Sequence, residues 1–155
     1  MEKTVQLPQS LQLFGLGIDT CVMHASRDMQ MLWSRVQGCK ALAHVSTLWS
    51  VYYNYGEGFT SYRAFVGACD LEQAPGLERL ELDLQGRAYQ CWTPAPSPQG
   101  VQQVWQDVWK AFPMGRGCQD ACDLERWVKD DRDIADVRVW VQVPHDHVSQ
   151  KGVVK

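Results

Sequence analysis

The segment from Asp120 to Val128, DACDLERWV, places a carboxylate and an indole two residues apart on a predicted β-strand. Period-two alternation puts Asp123, Glu125 and Trp127 on one face of that strand and the residues between them on the other. Three roles suit such a glutamate: a charge at the rim of a sheet, half of a structural ion pair, or an anionic group that binds a cation inside an aromatic pocket. The surrounding elements distinguish these roles.

A hairpin between this strand and the last predicted strand, VRVWVQV, sets the surroundings of Glu125. One register places Glu125 opposite Val139 and Arg126 opposite Arg138. Glu125 then shares a face with a row of valines, and Arg126 points to the opposite side of the sheet. A slip of one residue would move the whole strand to the other face, so the register decides the environment of the carboxylate.

Under this register Arg126 cannot neutralise Glu125, but an arginine from another element, Arg87 or Arg116, is a structural alternative. Without such a partner, burial would raise the pKa of the carboxyl group by up to several units. An external cation would then be favoured, and each aromatic wall would add roughly 0.5 to 2 kcal/mol by cation–π contact.

The chain supplies many aromatic side chains, with seven Trp and five Tyr among 155 residues. Trp33 and Trp105 fall in the apolar stripes of two predicted helices, so we expect them mainly to pack in the core. Trp140 is expected on the outward face of the last strand, as a dimer contact or an exposed aromatic. The predicted ligand-binding residues are Glu125, Tyr89, Trp127, Tyr53, Trp92 and Trp109.

Composition excludes several classes of function. The 15 basic and 18 acidic residues give a net charge of −3, and no basic stripe is present, so we expect no direct nucleic-acid partner. The first residues, MEKTVQLPQSLQLF, lack the basic start and continuous apolar run of a secretory signal, and no segment is long and apolar enough to cross a membrane. We therefore expect a cytoplasmic protein without a membrane partner.

The six cysteines contain no C-x-x-C pair and are expected to remain reduced thiols that fill core space. Cys118, Cys122, His145 and His147 could be arranged as a zinc site, but the first spacing is loose and both histidines lie in a polar tail. We therefore predict neither a metal site nor a cofactor.

Hydrophobic periodicity predicts a duplicated β-α-β-β unit. Apolar residues recur at helical spacing from Met29 to Val36 and again from Val101 to Val108, an offset of 72 residues (105 − 33) between Trp33 and Trp105. We expect one α+β domain over residues 1–155, with repeats at about 8–84 and 85–144 and a polar tail at 145–155. The repeats should form one antiparallel sheet with both helices on one side and a groove where the halves meet.

More local expectations follow from the same patterns. Gly15 and Gly17 should permit a bend or close packing in the first strand, and the first helix should run from Asp28 to near Ala43. The offset of 72 residues makes Tyr53 the counterpart of Glu125 in the first repeat.

Enzyme signatures are poor, since the chain contains no G-x-S-x-G, Walker-type loop or dinucleotide fingerprint. Asp123 and Glu125 are side neighbours on one strand and too close to face each other across a substrate. Glu125 with Tyr89 nearby remains a possible pair for acting on an activated electrophile, so enzymatic activity is left open, with a binding role favoured.

With the duplicated order established, several motifs together resemble the GyrI-like superfamily, which includes the effector-binding domains of AraC- and MerR-type regulators. VYYNYGEGFTSYRAFVG resembles its aromatic strand, glycine turn and following strand, and GRAYQCWTPA resembles its G-x-Y-x-x-F strand with Trp92 in place of phenylalanine. VWQDVWKAFP resembles its W-x-x-I-W-x-W-x-P helix, and DLERWV resembles F-E-x-Y, with Leu124 for Phe and Trp127 for Tyr.

This resemblance implies two SH2-like β-α-β-β repeats and a cleft for small, often cationic and aromatic, ligands. The glutamate of the F-E-x-Y motif corresponds to Glu125, and Tyr89 and Trp127 match positions near the same cleft. The changes at Leu124 and Trp127 imply a pocket of different shape. The first strand begins close to Met1, so we expect no helix-turn-helix domain ahead of it; the chain is similar to stand-alone members, some of them mobile cassette products, that act as free binding modules.

The resemblance leaves three functions open. The first is a binding module for cationic, amphipathic or aromatic compounds, with Glu125 supplying the charge. The second is an interaction protein similar to the gyrase inhibitors of the family, with DNA gyrase or a transcription regulator as its partner. The third is a hydrolase of small strained electrophiles, which a hydrogen-bonded pair of Glu125 and Tyr89 would favour.

Overall fold

A computed structural model describes residues 7–57, 60–69, 71, 74–113, 116, 120–131 and 133–144. Alternating and apolar stretches form strands, and stripes at helical spacing form helices, as expected from their periods. In chain order these are β1 (Ser10–Cys21), α1 (Ala25–Gln37), α2 (Lys40–Ala43), β2 (Thr47–Tyr53), β3 (Ser61–Ala68), β4 (Glu78–Asp83), β5 (Tyr89–Trp92), α3 (Pro98–Ala111), β6 (Asp123–Asp130) and β7 (Asp133–Gln142).

The described strands form one seven-stranded antiparallel sheet in the order β4-β1-β3-β2-β6-β7-β5. Both long helices cover the same face. Leu32 and Val36 of α1 pack on Leu48 of β2, and Val104 of α3 packs with Trp127 of β6, while Leu48 and Trp127 are directly opposite across β2 and β6. The predicted α+β fold, with one sheet and the helices on one side, is confirmed.

The predicted register of the β6–β7 hairpin is also confirmed. Glu125 lies opposite Val139, and Arg126 lies opposite Arg138. On its other side β6 pairs with β2, where Ser50 faces Glu125. Glu125 therefore lies at the centre of the sheet, on the face that the helices cover.

The helices differ in detail from the sequence pattern. α1 begins at Ala25, so Asp28 lies inside the first turn, where it accepts a 2.7 Å hydrogen bond from the Thr20 hydroxyl. The predicted run to Ala43 is interrupted after Gln37, and α2 is a separate short helix. α3 begins with Pro98 in its first turn, preceded by Ser97, whose Oγ accepts from the backbone N–H of Gly100.

The sheet must curl, because its two edge strands are joined by a short connection. Five residues, 84–88, link β4 to β5, and six extended Cα steps reach at most about 22 Å. A flat sheet would separate the edges by six intervals of about 4.8 Å, or roughly 29 Å. The curl brings Leu11 of β1 and Tyr89 of β5 into one buried cluster on the face opposite the helices.

This second buried face overturns the expectation for Trp140. Its side chain is fully buried and its ring stacks on Trp49 with centroids 5.6 Å apart. Alternation placed Trp140 on the side away from the helices correctly, but the curl encloses that side instead of leaving it in water. An outward-facing role for Trp140 was therefore wrong.

Candidate functional site

Glu125 is a buried carboxylate on the central strands of the helix-covered face, with 2% of its surface exposed. Trp127 follows it on β6, and α3 lies across it. The Trp105 indole N–H donates to Oε2 at 2.7 Å, and the Trp127 indole N–H donates to Oε1 at 2.9 Å. Each carboxylate oxygen therefore has one neutral donor.

Burial raises the pKa of Glu125 above its ordinary value of 4.5, because the charged form loses its hydration. The hydrogen bonds from Trp105 and Trp127, and a hydrogen-bonding interaction with Tyr52, act in the opposite direction. The Asp123 carboxylate raises the pKa of Glu125 further. The site is therefore one in which a negative charge is held at a cost that neutral donors only partly offset.

The arginines that might have neutralised Glu125 bind elsewhere. Arg126 points to the other face and donates to Asp136 at 2.9 Å. Arg87 donates to the Gln142 side chain and to the Asp120 carbonyl oxygen, and Arg116 pairs with Asp123. Among the described residues, no Lys, Arg or His forms an ion pair with Glu125.

Aromatic rings from both helices and the sheet surround this carboxylate. Trp33 of α1 meets Trp127 edge-on with centroids 5.7 Å apart, and Trp105 of α3 meets Tyr52 in the same way at 5.5 Å. The Tyr52 ring in turn contacts Tyr62 at 5.9 Å. We call Trp33, Tyr52, Tyr62, Trp105 and Trp127 the aromatic cluster.

Asp123, the side neighbour of Glu125, belongs to a separate polar network. Its carboxylate accepts two 2.5 Å hydrogen bonds from Arg116, a 2.5 Å bond from the Tyr55 hydroxyl and a 2.8 Å bond from the Gln142 backbone N–H. Its charge is thus matched by a buried guanidinium. Two carboxylates on one strand face consequently have different environments, one paired and one not.

The structure brings some of the predicted site residues together and separates others. Trp127 touches Glu125, and Trp92 lies opposite Val139, on the same face and in the same core cluster as Trp127. Tyr89 lies on the other face, where its hydroxyl donates to the Cys122 carbonyl oxygen at 2.7 Å.

The remaining two predicted residues also lie apart from the carboxylate. Tyr53 packs against the core cluster on the face opposite Glu125. Trp109 is on α3 with 43% of its surface exposed. Neither has a hydrogen bond or ring contact with the aromatic cluster among the described interactions.

Sequence reasoning missed three members of the aromatic cluster. Trp33 and Trp105 were assigned to core packing because they lie in apolar helix stripes, but the same stripe faces the carboxylate. Tyr52 was missed because the helix offset of 72 residues selected Tyr53, which lies on the wrong face. Ser50, which pairs with Glu125, marks the correct face of β2, and alternation from it selects Tyr52.

The described residues show no group of three or more His, Cys, Asp or Glu side chains that is arranged to hold a metal ion. Cys118, His145 and His147 of the zinc arrangement considered above lie outside the described residues. In the described part of the chain, no helix is both long and apolar enough to cross a membrane.

A curled antiparallel sheet with two helices over a buried glutamate defines the structural class of this protein. No protein-family model and no curated protein matches its sequence. Among solved structures, an integron cassette protein from the mobile metagenome of Vibrio cholerae matches with a TM-score of 0.71 and 17% identity, covering 88% of this chain and 92% of that chain. The protein SAV2435, solved bound to tetraphenylphosphonium, matches with a TM-score of 0.66 and 15% identity, covering 98% of this chain and 99% of that chain.

Proposed function

We propose that this protein is a binding module for small cationic molecules with aromatic or amphipathic bodies, and that Glu125 is the anionic contact. The observation that carries the proposal is a fully buried carboxylate that accepts from two indoles and forms no ion pair with any described cationic side chain. An organic cation would supply the missing charge. The sequence motifs and the shared fold make a GyrI-like effector-binding domain the proposed family.

The aromatic cluster suits the body of such a ligand. Tetrahedral or planar aromatic cations present a delocalised charge, which ring faces attract by roughly 0.5 to 2 kcal/mol per contact. Five rings from α1, α3, β2, β3 and β6 surround one carboxylate. The structural neighbour SAV2435 was solved with a ligand of this class, tetraphenylphosphonium.

Binding requires part of the site to open, because Glu125 is almost fully covered. Trp105 is the more exposed of its two indole donors and lies on a helix, whereas Trp127 is buried within the sheet. We propose that the ligand displaces the Trp105 N–H from Oε2 and takes its place. Trp92, on the same face beyond Val139, then extends the apolar wall.

The hydrolase alternative required Glu125 and Tyr89 within hydrogen-bond reach, and they lie on opposite faces of the sheet. Contact with DNA gyrase or a transcription regulator has no corresponding surface feature among the described residues. Cation binding therefore ranks first, and a cytoplasmic location stays a prediction.

The decisive experiment compares two probes of the same shape and opposite charge. Tetraphenylphosphonium and tetraphenylborate are titrated by calorimetry into the native protein, Glu125→Gln and a control, Glu81→Gln, whose carboxylate is on the surface. We expect the cation to bind the native protein and the control equally, and to bind Glu125→Gln about tenfold or more weakly, because a charge-assisted contact is lost.

Equal binding of both probes, or unchanged cation affinity in Glu125→Gln, would remove Glu125 as the anionic contact. Circular dichroism of each variant confirms that the fold is retained. If neither probe binds the folded native protein, the binding-module proposal itself fails.

A further inference from the structure

We propose a second site, for a small oxyanion, on the face of the sheet opposite Glu125, formed by Arg126 and Arg138. These two arginines are direct cross-strand partners in the β6–β7 hairpin. Directly opposed side chains on one sheet face have Cβ atoms about 5 Å apart, where like charges destabilise the pair. A chain that sets two guanidinium groups together therefore requires anionic compensation.

The protein supplies only part of that compensation. Arg126 Nη2 donates to Asp136 Oδ2 at 2.9 Å, and Arg138 Nε lies 3.6 Å from the same oxygen. Arg138 Nη1 donates to the Thr93 hydroxyl at 2.7 Å. Two positive charges thus share one carboxylate, which leaves this position with a net charge of +1.

Unsatisfied donors converge at the same position. Arg126 Nε, Arg138 Nε and Trp140 Nε1 are buried and have no hydrogen-bond acceptor among the described residues. Trp140 follows Arg138 by two residues on β7, so all three groups share one sheet face. Buried donors are satisfied in more than nine cases of ten, so three orphans in adjacent positions indicate a missing acceptor.

The arginines remain reachable from outside. Their side chains are 20% and 16% exposed, and that of Asp136 is 34% exposed. Carboxylates and phosphates offer several acceptor oxygens and match the planar fork of a guanidinium, which makes them the expected class of ligand.

An apolar cavity lies beside this position. Trp49 is directly opposite Arg126 on β2 and also lines a cavity of about 470 Å³ together with Thr47 and Ala68. We therefore expect an organic anion with a small apolar body to bind more tightly than an inorganic one. Because this site faces away from Glu125, it stands or falls independently of the cation site.

The test uses inorganic phosphate, acetate and benzoate as probes. Their binding is followed through the Nε–H signals of arginine in ¹⁵N-labelled protein, and their affinities come from the same titrations. We expect saturable shifts of the Arg126 and Arg138 signals, with benzoate tighter than acetate, and a loss of about tenfold or more in Arg126→Gln. Arg79→Gln, which removes a surface arginine of β4, serves as the matched control.

Asp136→Asn separates this proposal from a purely structural ion-pair network. It removes the competing carboxylate and keeps both arginines, so anion affinity should increase several-fold even if Arg126→Gln does not fold. Affinity that is unchanged or weaker in Asp136→Asn overturns the proposal. So does the absence of saturable shifts with all three probes, or equal affinity in the native protein and a folded Arg126→Gln variant.

Discussion

At the scale of single residues, the state of Glu125 follows from the difference between hydrogen bonding and charge neutralisation. Two indole donors satisfy the lone pairs of the carboxylate, but neutral donors do not replace the hydration that an ion loses on burial. Asp123, two residues earlier, has a guanidinium partner in addition to neutral donors. The two acids therefore differ in what they lack, and an external cation serves Glu125 alone.

A pH dependence follows from the raised pKa of Glu125. A cation binds the ionised form, so its affinity should increase with pH through the Glu125 pKa, above 4.5, and then level off. Calorimetric titration with tetraphenylphosphonium between pH 5 and 8 measures this, and Glu125→Gln should show no such increase. A flat profile in the native protein would mean that the ligand does not use the carboxylate.

The same raised pKa has the opposite effect on folding. Between the unfolded value near 4.5 and the higher folded value, the folded protein binds more protons than the unfolded chain. The contribution of Glu125 to the free energy of unfolding therefore decreases as the pH rises through this window. Chemical denaturation at several pH values should show a smaller decrease in Glu125→Gln than in the native protein.

Trp105→Phe tests whether the Trp105 indole competes with the ligand. The substitution keeps an aromatic ring and removes the N–H that bonds Oε2. We expect tetraphenylphosphonium to bind up to about tenfold more tightly, because it no longer has to break that bond, while unfolding becomes easier by about 1 to 3 kcal/mol.

Trp109→Phe, on the exposed side of the same helix, should change neither quantity. Weaker binding in Trp105→Phe would show that the indole contacts the ligand instead of competing with it.

At the scale of elements, strand alternation lets β6 serve two faces. Glu125 and Trp127 face the helices, while Arg126 between them faces the opposite side. The same rule explains why Tyr52 belongs to the aromatic cluster and Tyr53 does not. Helix-to-helix spacing does not carry over to the strands when the intervening loops differ in length, so an even offset selected a residue on the wrong face.

β1 and β3 approach each other closely at a pair of opposed glycines, Gly15 and Gly67. A Cβ on Gly15 would lie 2.0 Å from the Val66 carbonyl oxygen and 2.5 Å from the Gly67 Cα, both backbone atoms that cannot rotate away. The prediction of close packing at Gly15 is confirmed by this contact.

Gly15→Ala should consequently lower the free energy of unfolding by about 1 to 3 kcal/mol or more, as expected for overpacking. Urea denaturation measures the change. Gly38→Ala is the control, because its Cβ would have no neighbour nearer than 3.5 Å and its φ of −81° suits any residue. Similar stability of Gly15→Ala and the native protein would mean that the two strands can separate without cost.

At the scale of the whole molecule, the curled sheet has two buried faces, and the Arg116–Asp123 pair secures one end of it. Burial alone would lower the pKa of Arg116, but the adjacent Asp123 carboxylate raises it above its ordinary value, so the guanidinium stays charged. Arg116 also donates to the Gln142 carbonyl oxygen on β7. The pair therefore joins the segment after α3 to β6 and β7.

Asp123→Asn should destabilise the protein by about 3 to 5 kcal/mol, because it leaves a buried guanidinium without its counter-charge. Thermal and urea unfolding measure this loss. Asp133→Asn, at an exposed position on β7, should change stability by no more than about 0.5 kcal/mol. A small effect of Asp123→Asn would indicate that water reaches Arg116 and restores its hydration.

Much of this protein was accessible from local patterns. Strand alternation and helical stripes yielded the α+β duplication, and the valine row placed Glu125 opposite Val139. These features depend on the periodicity of side chains along one or two neighbouring elements, which the order of residues specifies directly.

Other features depend on distant parts of the chain meeting. The curl of the sheet buried Trp140 and placed Tyr89 away from Glu125, and the arrangement of α1 and α3 brought Trp33 and Trp105 into the aromatic cluster. No local pattern encodes these positions, because they result from a short connection between edge strands and from packing across the sheet. Period and register were thus properties of the sequence, whereas the enclosure of each face was a property of the folded chain.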